Sequence, residues 1–438
     1  MSDIGRMPGS DPLYARPRSL VSTLAIWIVI AAILLILPQV FNSGLSITTM
    51  CLMGVTIIFA LSYNMLLGQT GLLSFGHAVF FGLGGFLTAH ALNTARLTHA
   101  PLPLEVFPLV GGAAGLVFGI IFGAVSTRRS GTAFAMITLG IGELVSSSAL
   151  ILRHAFGGEE GISVDRTQVL HLFGITFGPQ TQVYYLIAGW GLVSAGAMYA
   201  LTRTPFGRIC NAVRDNPDRA AFIGYNTTTV RFIAFSLAGL FAGIAGGLAA
   251  VNFEIATSSS LGATQSGTVV LMTFIGGVGN FAGPIIGAIL VTSMQLTLSD
   301  LTSVWQLYFG LFFIAIVMYA PSGIAGMVTR QIPLFRANQL QKVVPYYLMA
   351  LVPGIIAFIG GSMLIEMINR IAAHAADGPE MSLYGVALNV TSPLPWIVAC
   401  VLLVGGGWLF RRAVRISLNA YNEALAIAQA PSTGRSVS

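Results

Sequence analysis

Charge is scarce in this chain of 438 residues: 8% are Asp, Glu, Lys or Arg, and Lys342 is the single lysine. It lies in no Gly-x-x-x-x-Gly-Lys sequence, so the chain has no P-loop with which to bind ATP. The three cysteines, Cys51, Cys210 and Cys400, are scattered, and the first and last lie in apolar stretches. They suggest neither a disulfide framework nor a metal centre. No succession of acids and bases runs through the apolar segments, as a proton relay would require. A metal cluster, a nucleophile–base pair and a soluble stretch large enough for catalysis are also missing. The sequence therefore reads as a non-enzyme with no cofactor of its own, whose energy source lies outside the chain.

What is abundant is apolar. Hydrophobic residues make up 55% of the chain, and glycine contributes 51 positions. Mean hydropathy is +0.82. Runs of about twenty apolar residues imply an all-α, polytopic integral membrane protein, because lipid admits only helices or closed barrels. The formal charge of +6 collects in loops beside these runs and is no nucleic-acid signal. Spans are predicted at about 19–40, 45–67, 72–92, 105–126, 131–152, 182–202, 228–252, 265–279, 282–299 and 304–320. The run at 265–279 is short enough to be a half-helix. Two further spans follow, at about 345–366 and 394–410. Residues 1–18 read as a disordered lead-in, 19–330 as the core, 331–410 as an extension and 411–438 as a tail. The first apolar run, Leu20–Leu37, is too long for a signal-peptide core and reads as an uncleaved span.

Orientation follows from the positive charges. With the N-terminus in the cytoplasm, 17 of the 21 basic residues fall on the cytoplasmic side, leaving Arg96, Arg153, Arg166 and Arg370 outside. The reverse orientation would invert the usual bias. Both termini are then cytoplasmic. The external loop at about 153–181, with its Gly157–Gly161 turn, is either a plain connection or a place to receive a soluble partner or line a gate.

Residues 207–224 concentrate charge in an otherwise apolar chain. Arg208, Arg214, Asp215, Asp218 and Arg219 crowd into this segment, followed by Ala220, Ala221 and Gly224. Such a density cannot sit in hydrocarbon. It predicts a compact, helical cytoplasmic loop, either simply solvated or offering a surface to another protein. Gly224 is placed to end a short helix in a left-handed conformation.

Two apolar regions are interrupted by glycines. One carries Asn64, Gly68, Gly71, Ser74, Gly76 and His77; the other carries Gly276, Gly277, Gly279 and Asn280 ahead of Gly283-Pro284. Broken helices in corresponding parts of two halves point to a translocation path or gate. Close helix packing through small residues is the alternative, and it is the preferred reading for Gly82, Gly84 and Gly85. His77 suits local capping or hydrogen bonding. Glu143, deep in a predicted span, either orients a substrate ammonium or braces a neighbouring helix, since an unsatisfied carboxylate there is costly.

Three blocks, Leu61–Ala78, Val213–Gly246 and Phe274–Pro284, resemble the LivM-type permeases of bacterial branched-chain amino acid ABC importers. Thr138–Glu143 and Gly157–Gly161 also look like segments of that family, and the resemblance covers roughly residues 20–330. It implies a multi-pass permease of the bacterial inner membrane, paired with a LivH-like permease in a heterodimeric pore. Two ATP-binding subunits would hold ATP and Mg, and a periplasmic binding protein would deliver the small-molecule substrate. Residues 207–224 would be the coupling helix on which an ATP-binding subunit docks. Asp218 and Arg219 depart from the family, which usually shows Glu and then an apolar residue there. The two spans within 345–410 are additional to the family core. An ion-coupled secondary carrier is the runner-up, weakened by the missing intramembrane charges. A purely structural membrane subunit is a third reading, weakened by the glycine-broken helices.

Overall fold

A computed structural model describes residues 20–170, 176–320, 322–336, 340–373, 378 and 380–429. The expected lead-in at 1–18 and the last residues of the tail lie outside these. The helices are α1 (Leu20–Val40), α2 (Gly44–Thr70), α3 (Ala78–Thr98), α4 (Phe107–Ser126), α5 (Thr132–Ile151) and the short α6 (Arg153–Phe156). Then come α7 (Gln180–Arg203), α8 (Pro205–Asp215), α9 (Pro217–Phe222), α10 (Thr227–Phe253), α11 (Ala263–Gly276) and α12 (Gly283–Leu301). The chain continues through α13 (Trp305–Tyr319), α14 (Gly323–Arg336), α15 (Leu340–Ala373) and α16 (Pro393–Gln429). Strands β1 (Ile162–Ser163) and β2 (Ile255–Ala256) pair antiparallel, as do β3 (Glu380–Leu383) and β4 (Val386–Asn389).

The protein is a polytopic all-α membrane protein. Among the described residues, nine helices are long and apolar enough to cross a bilayer, or ten if α13 and α14 form one bent span. Twelve crossings were predicted. The difference lies in short elements: α11 has 14 residues, about 21 Å at the α-helical rise, and cannot cross roughly 30 Å of hydrocarbon alone.

Packing divides the chain at Ser293/Met294. The sequence-drawn core, ending at 330, runs past this boundary. In the first unit α10 lies at the centre, against α4, α3 and α2, and most of it is buried. Glycines allow that approach. A methyl group added to Gly111 would sit 2.5 Å from Gly243 O, and one added to Gly239 would sit 2.5 Å from Gly115 O. Backbones meet at these points, so dispersion contacts between close helices supply the attraction that lipid exclusion cannot.

The second unit contains a helical hairpin of α15 and α16 joined through the β3–β4 ribbon. Glu366 of α15 accepts hydrogen bonds from Thr302 Oγ1 (2.7 Å) and Tyr308 Oη (3.0 Å), tying α15 to the entry of α13. Helix α16 runs 37 residues, well beyond the predicted span at 394–410, and continues through the expected tail to Gln429. Its Arg412 guanidinium lies 5.2 Å over the Trp408 ring.

Candidate functional site: a capped helix pair beneath two broken spans

The polar loop is two helices set at a corner. Thr204 Oγ1 accepts from Gly207 N to cap α8, and Pro205 occupies its first turn. Asn216 has an extended backbone, as expected before Pro217, and its Oδ1 accepts from Arg219 N (2.8 Å) to start α9. Gly224, at φ +97°, closes the pair, its N–H bonding Ala221 O at 2.9 Å. Asn226 then caps α10.

Beneath the pair lies a small core of Cys210, Val213, Ala220, Val230 and Ala234, with Phe206 and Ile209 against it. Burial pushes the Cys210 thiol up to about 12. Arg208, Asp215, Asp218, Arg219, Ala221 and Gly224 face outward, whereas Ala220 is buried. Beyond them stand two side chains that the sequence reading passed over. Phe222 is 91% exposed and Ile223 is 71% exposed, at the tip of this polar loop. Two large apolar residues beside a loop glycine were the available signal.

Arg214 behaves differently from its neighbours. Its Nε donates to Asp215 Oδ1 at 2.9 Å, and its Nη1 donates to Gly68 O at the end of α2. That end is closed by Gly71, at φ +71°, whose N–H bonds the carbonyls of Leu66 and Leu67. Nearby, Asn64 Oδ1 accepts from Gly279 N (3.1 Å) and its Nδ2 donates to Asn280 O (3.4 Å). Asn64, Gly68, Gly71, Gly279, Asn280 and Arg214 thus meet in one place, although they come from three distant blocks.

The rest of the first break turns inward. Residues 71–77 are non-helical, and Leu72, Ser74, Gly76 and His77 are buried. Phe75 N donates to Thr138 Oγ1 (3.2 Å), Gly76 lies against Thr138 and Gly142, and Ala78 N donates to Ser266 Oγ (3.1 Å). Thr138 and Gly142 sit in the middle of α5, so open backbone reaches mid-span, which is tolerated only inside protein or along a water-filled path. The span expected from residue 72 consequently becomes a helix only at Ala78. His77 bonds Ser62 Oγ through Nε2 (3.0 Å) and is ringed by Phe59, Tyr63 and Phe80. Gly276 and Gly277 pack against Gly283. Glu143 is not part of this convergence: it is exposed on the flank of α5.

A cavity of about 870 Å³ opens toward the β1–β2 end, between α2, α3, α5, α10 and the segment leading into α11. Phe81, Leu150 and Phe253 give it apolar walls, while Ser146, Thr257, Ser259 and Gln265 supply neutral polar groups. No charged side chain lines it, and none of the path residues named from the sequence does.

At the same end the buried Arg166, also missed from the sequence, fastens the loop before α7. Its Nε donates to Phe177 O (2.8 Å), Nη1 to Asn252 O (3.2 Å), and Nη2 to Gly178 O and Gln180 Oε1 (both 3.2 Å). Glu254 Oε1 lies 3.8 Å from Nε.

Glycine-packed spans, open backbone at mid-depth and a capped polar helix pair define a membrane permease subunit. Residues 45–321, more than half the chain, match the family described as "Branched-chain amino acid transport system / permease component", and the chain belongs to that family. It is a permease subunit of an ABC importer. The chain is 26% identical over 320 residues to the high-affinity branched-chain amino acid transport system permease protein LivM of Salmonella typhimurium, covering 68% of this chain and 73% of that protein. It is 24% identical to the probable branched-chain amino acid transport permease protein LivM of Methanocaldococcus jannaschii, covering 62% and 90%. The xylose transport system permease protein XylH of Escherichia coli is 29% identical over 49% of this chain and 63% of its own length. No solved structure matches.

Proposed function

We propose that this chain translocates branched-chain or similar small amino acids across the bacterial inner membrane, paired with a LivH-like permease. The α8–α9 face is cytoplasmic, consistent with the 17-to-4 division of basic residues, and two separate ATP-binding subunits hold ATP and Mg. A periplasmic binding protein delivers substrate to the β1–β2 end. The neutral cavity there suits a small solute with an aliphatic part, offering hydroxyl and amide groups beside apolar walls. ATP-driven movement of the docked subunits swings the permease between two access states.

The observation that carries this reading is the exposed Phe222–Ile223 tip on a helix pair capped at every end. Apolar anchors in a polar rim are the pattern of an interface hot spot, and each is worth roughly 2 kcal/mol when it fills a pocket. The Phe222→Ser/Ile223→Ser double variant is expected to insert at parental abundance but to lose co-purification with its ATP-binding subunits and leucine uptake. Retained co-purification and uptake would remove the loop from the docking surface. Gly224→Trp is a poorer probe, because no neighbour lies within 4 Å of an added Cβ yet φ +97° strains any L side chain. The purified chain alone is expected to hydrolyse no ATP. Proton- or sodium-driven uptake by the chain alone would favour the carrier instead.

A further inference from the structure

Arg214 stands where three sequence blocks touch. It belongs to the last turn of α8 and is exposed, yet its guanidinium reaches to the end of α2. The acceptor it finds is an orphan. Gly68 O lies in the last turn of α2, where carbonyls lose their helical partners. The N–H that would serve it, from Leu72, goes instead to Leu66 O at 3.4 Å. A guanidinium at a helix C-terminus also meets the negative end of the helix dipole. Asp215 holds the guanidinium in orientation through Nε.

The fit around the arginine is close. A Cβ on Gly71 would stand 3.0 Å from Arg214 Cγ, and one on Gly279 would stand 3.5 Å from Nη1. Gly279 in turn is held to α2 by Asn64. The guanidinium therefore rests at the junction of the two glycine breaks: the one that opens the backbone to mid-span after Gly71, and the one between α11 and α12. A larger residue at Gly71 or Gly279 would crowd the arginine.

We propose that Arg214 is a positioning residue that conveys movement of the α8–α9 pair to both broken spans at once. This rests on the reading of that pair as the docking element. Displacing α8 moves the guanidinium, and with it the carbonyl that ends α2. Asn64, one turn back on α2, carries the displacement to Gly279 and Asn280. A single polar contact suits this role, because it can be drawn aside without exposing a buried apolar core. The packed face of α8, through Cys210 and Val213, keeps the pair folded while the arginine links it to the breaks.

The test uses the complete importer, co-expressed with its partner permease and ATP-binding subunits, in proteoliposomes supplied with its binding protein. Three quantities are read together: co-purification of the ATP-binding subunits, ATP hydrolysed, and radiolabelled leucine imported per ATP. Arg214→Ala is expected to leave co-purification at the parental level and to lower leucine imported per ATP at least tenfold. Arg214→Lys keeps a cationic donor and is expected to recover part of that ratio. Asp215→Ala, on the exposed side, is expected to retain the fold and reduce the ratio two- to threefold by freeing the guanidinium. It keeps the test decisive if Arg214→Ala is poorly produced.

A purely structural role would lower abundance or thermal stability and leave the ratio unchanged in the folded fraction, which would overturn the proposal. Loss of co-purification in step with the ratio would overturn it too, by making Arg214 a docking contact. Failure of the docking reading is a separate result, because it appears as undisturbed co-purification in the Phe222→Ser/Ile223→Ser variant.

Discussion

Arg166 and Arg214 belong to the same packed unit and stand at opposite ends of it, and each bonds backbone carbonyls near a helix terminus. Arg166 is 7% exposed and spreads its donors over four carbonyls and one side-chain amide. Arg214 is exposed and gives one carbonyl and one neighbouring carboxylate its attention. The first arrangement welds the last turn of α10 and the start of α7 to the loop that precedes α7. Gln180 adds to it by donating to Asn252 Oδ1 at 2.7 Å. The second is a lone polar contact beside the apolar core that holds α8, and water can replace it. The same side chain thus builds a buried, many-bonded junction at one end and an exposed, sparsely bonded one at the other.

The sharpest way to break this comparison is Arg166→Met. It strands the carbonyls of Phe177, Gly178 and Asn252, and charged hydrogen bonds of this kind are worth roughly 1.5–3 kcal/mol each. A loss of about 3 kcal/mol is expected, read as a drop of several degrees in the detergent melting temperature. An unchanged melt would mean the cluster is decorative. Next comes Thr204→Ala, which removes the α8 cap and should cost about 1 kcal/mol, visible as faster proteolysis within 205–222. Arg214→Met should shift the same melt by well under 1 kcal/mol, because an exposed pair contributes little. A shift as large as that of Arg166→Met would erase the distinction between the two ends.

The smallest effect concerns Cys210. Its raised value means that the reactive thiolate is nearly absent at neutral pH and forms only as pH rises toward about 12. Alkylation by iodoacetamide at pH 8 should therefore leave Cys210 unmodified in the folded protein, while a cysteine placed by Phe222→Cys reacts readily. Rapid modification of Cys210 at that pH would show that the helix pair opens as a whole.

Much of the fold was legible because lipid imposes a simple requirement, a long apolar run, and α2, α4, α5, α7 and α10 satisfy it locally. The short α11 was also flagged by its length. Residues 72–77 misled, since Leu72 and Phe75 look like a helix start, while their open backbone is held by Thr138 and other groups far along the chain. The polar loop was legible as helical, and its corner was written in Asn216-Pro217 but not read. Arg214 and Arg166 could not be assigned in the same way. Their partners lie 146 and 85 or more residues away for Gly68, Val251 and Asn252, and nothing in the local sequence announces the contact. Glu143 showed the converse limit: its depth was clear, but which flank of α5 it occupies depends on how the neighbouring helices pack.

Helix α16 adds a consequence of a different kind. At 37 residues it spans roughly 55 Å, well over the thickness of a hydrocarbon layer. Trp408, with Arg411, Arg412 and Arg415 behind it, suits the edge of that layer, since indole and guanidinium both favour the headgroup zone. The stacked Trp408–Arg412 pair acts as a waterline on the hairpin. A thicker or thinner bilayer would meet this mark at a different tilt, so the angle of α16 becomes a gauge of the lipid around it.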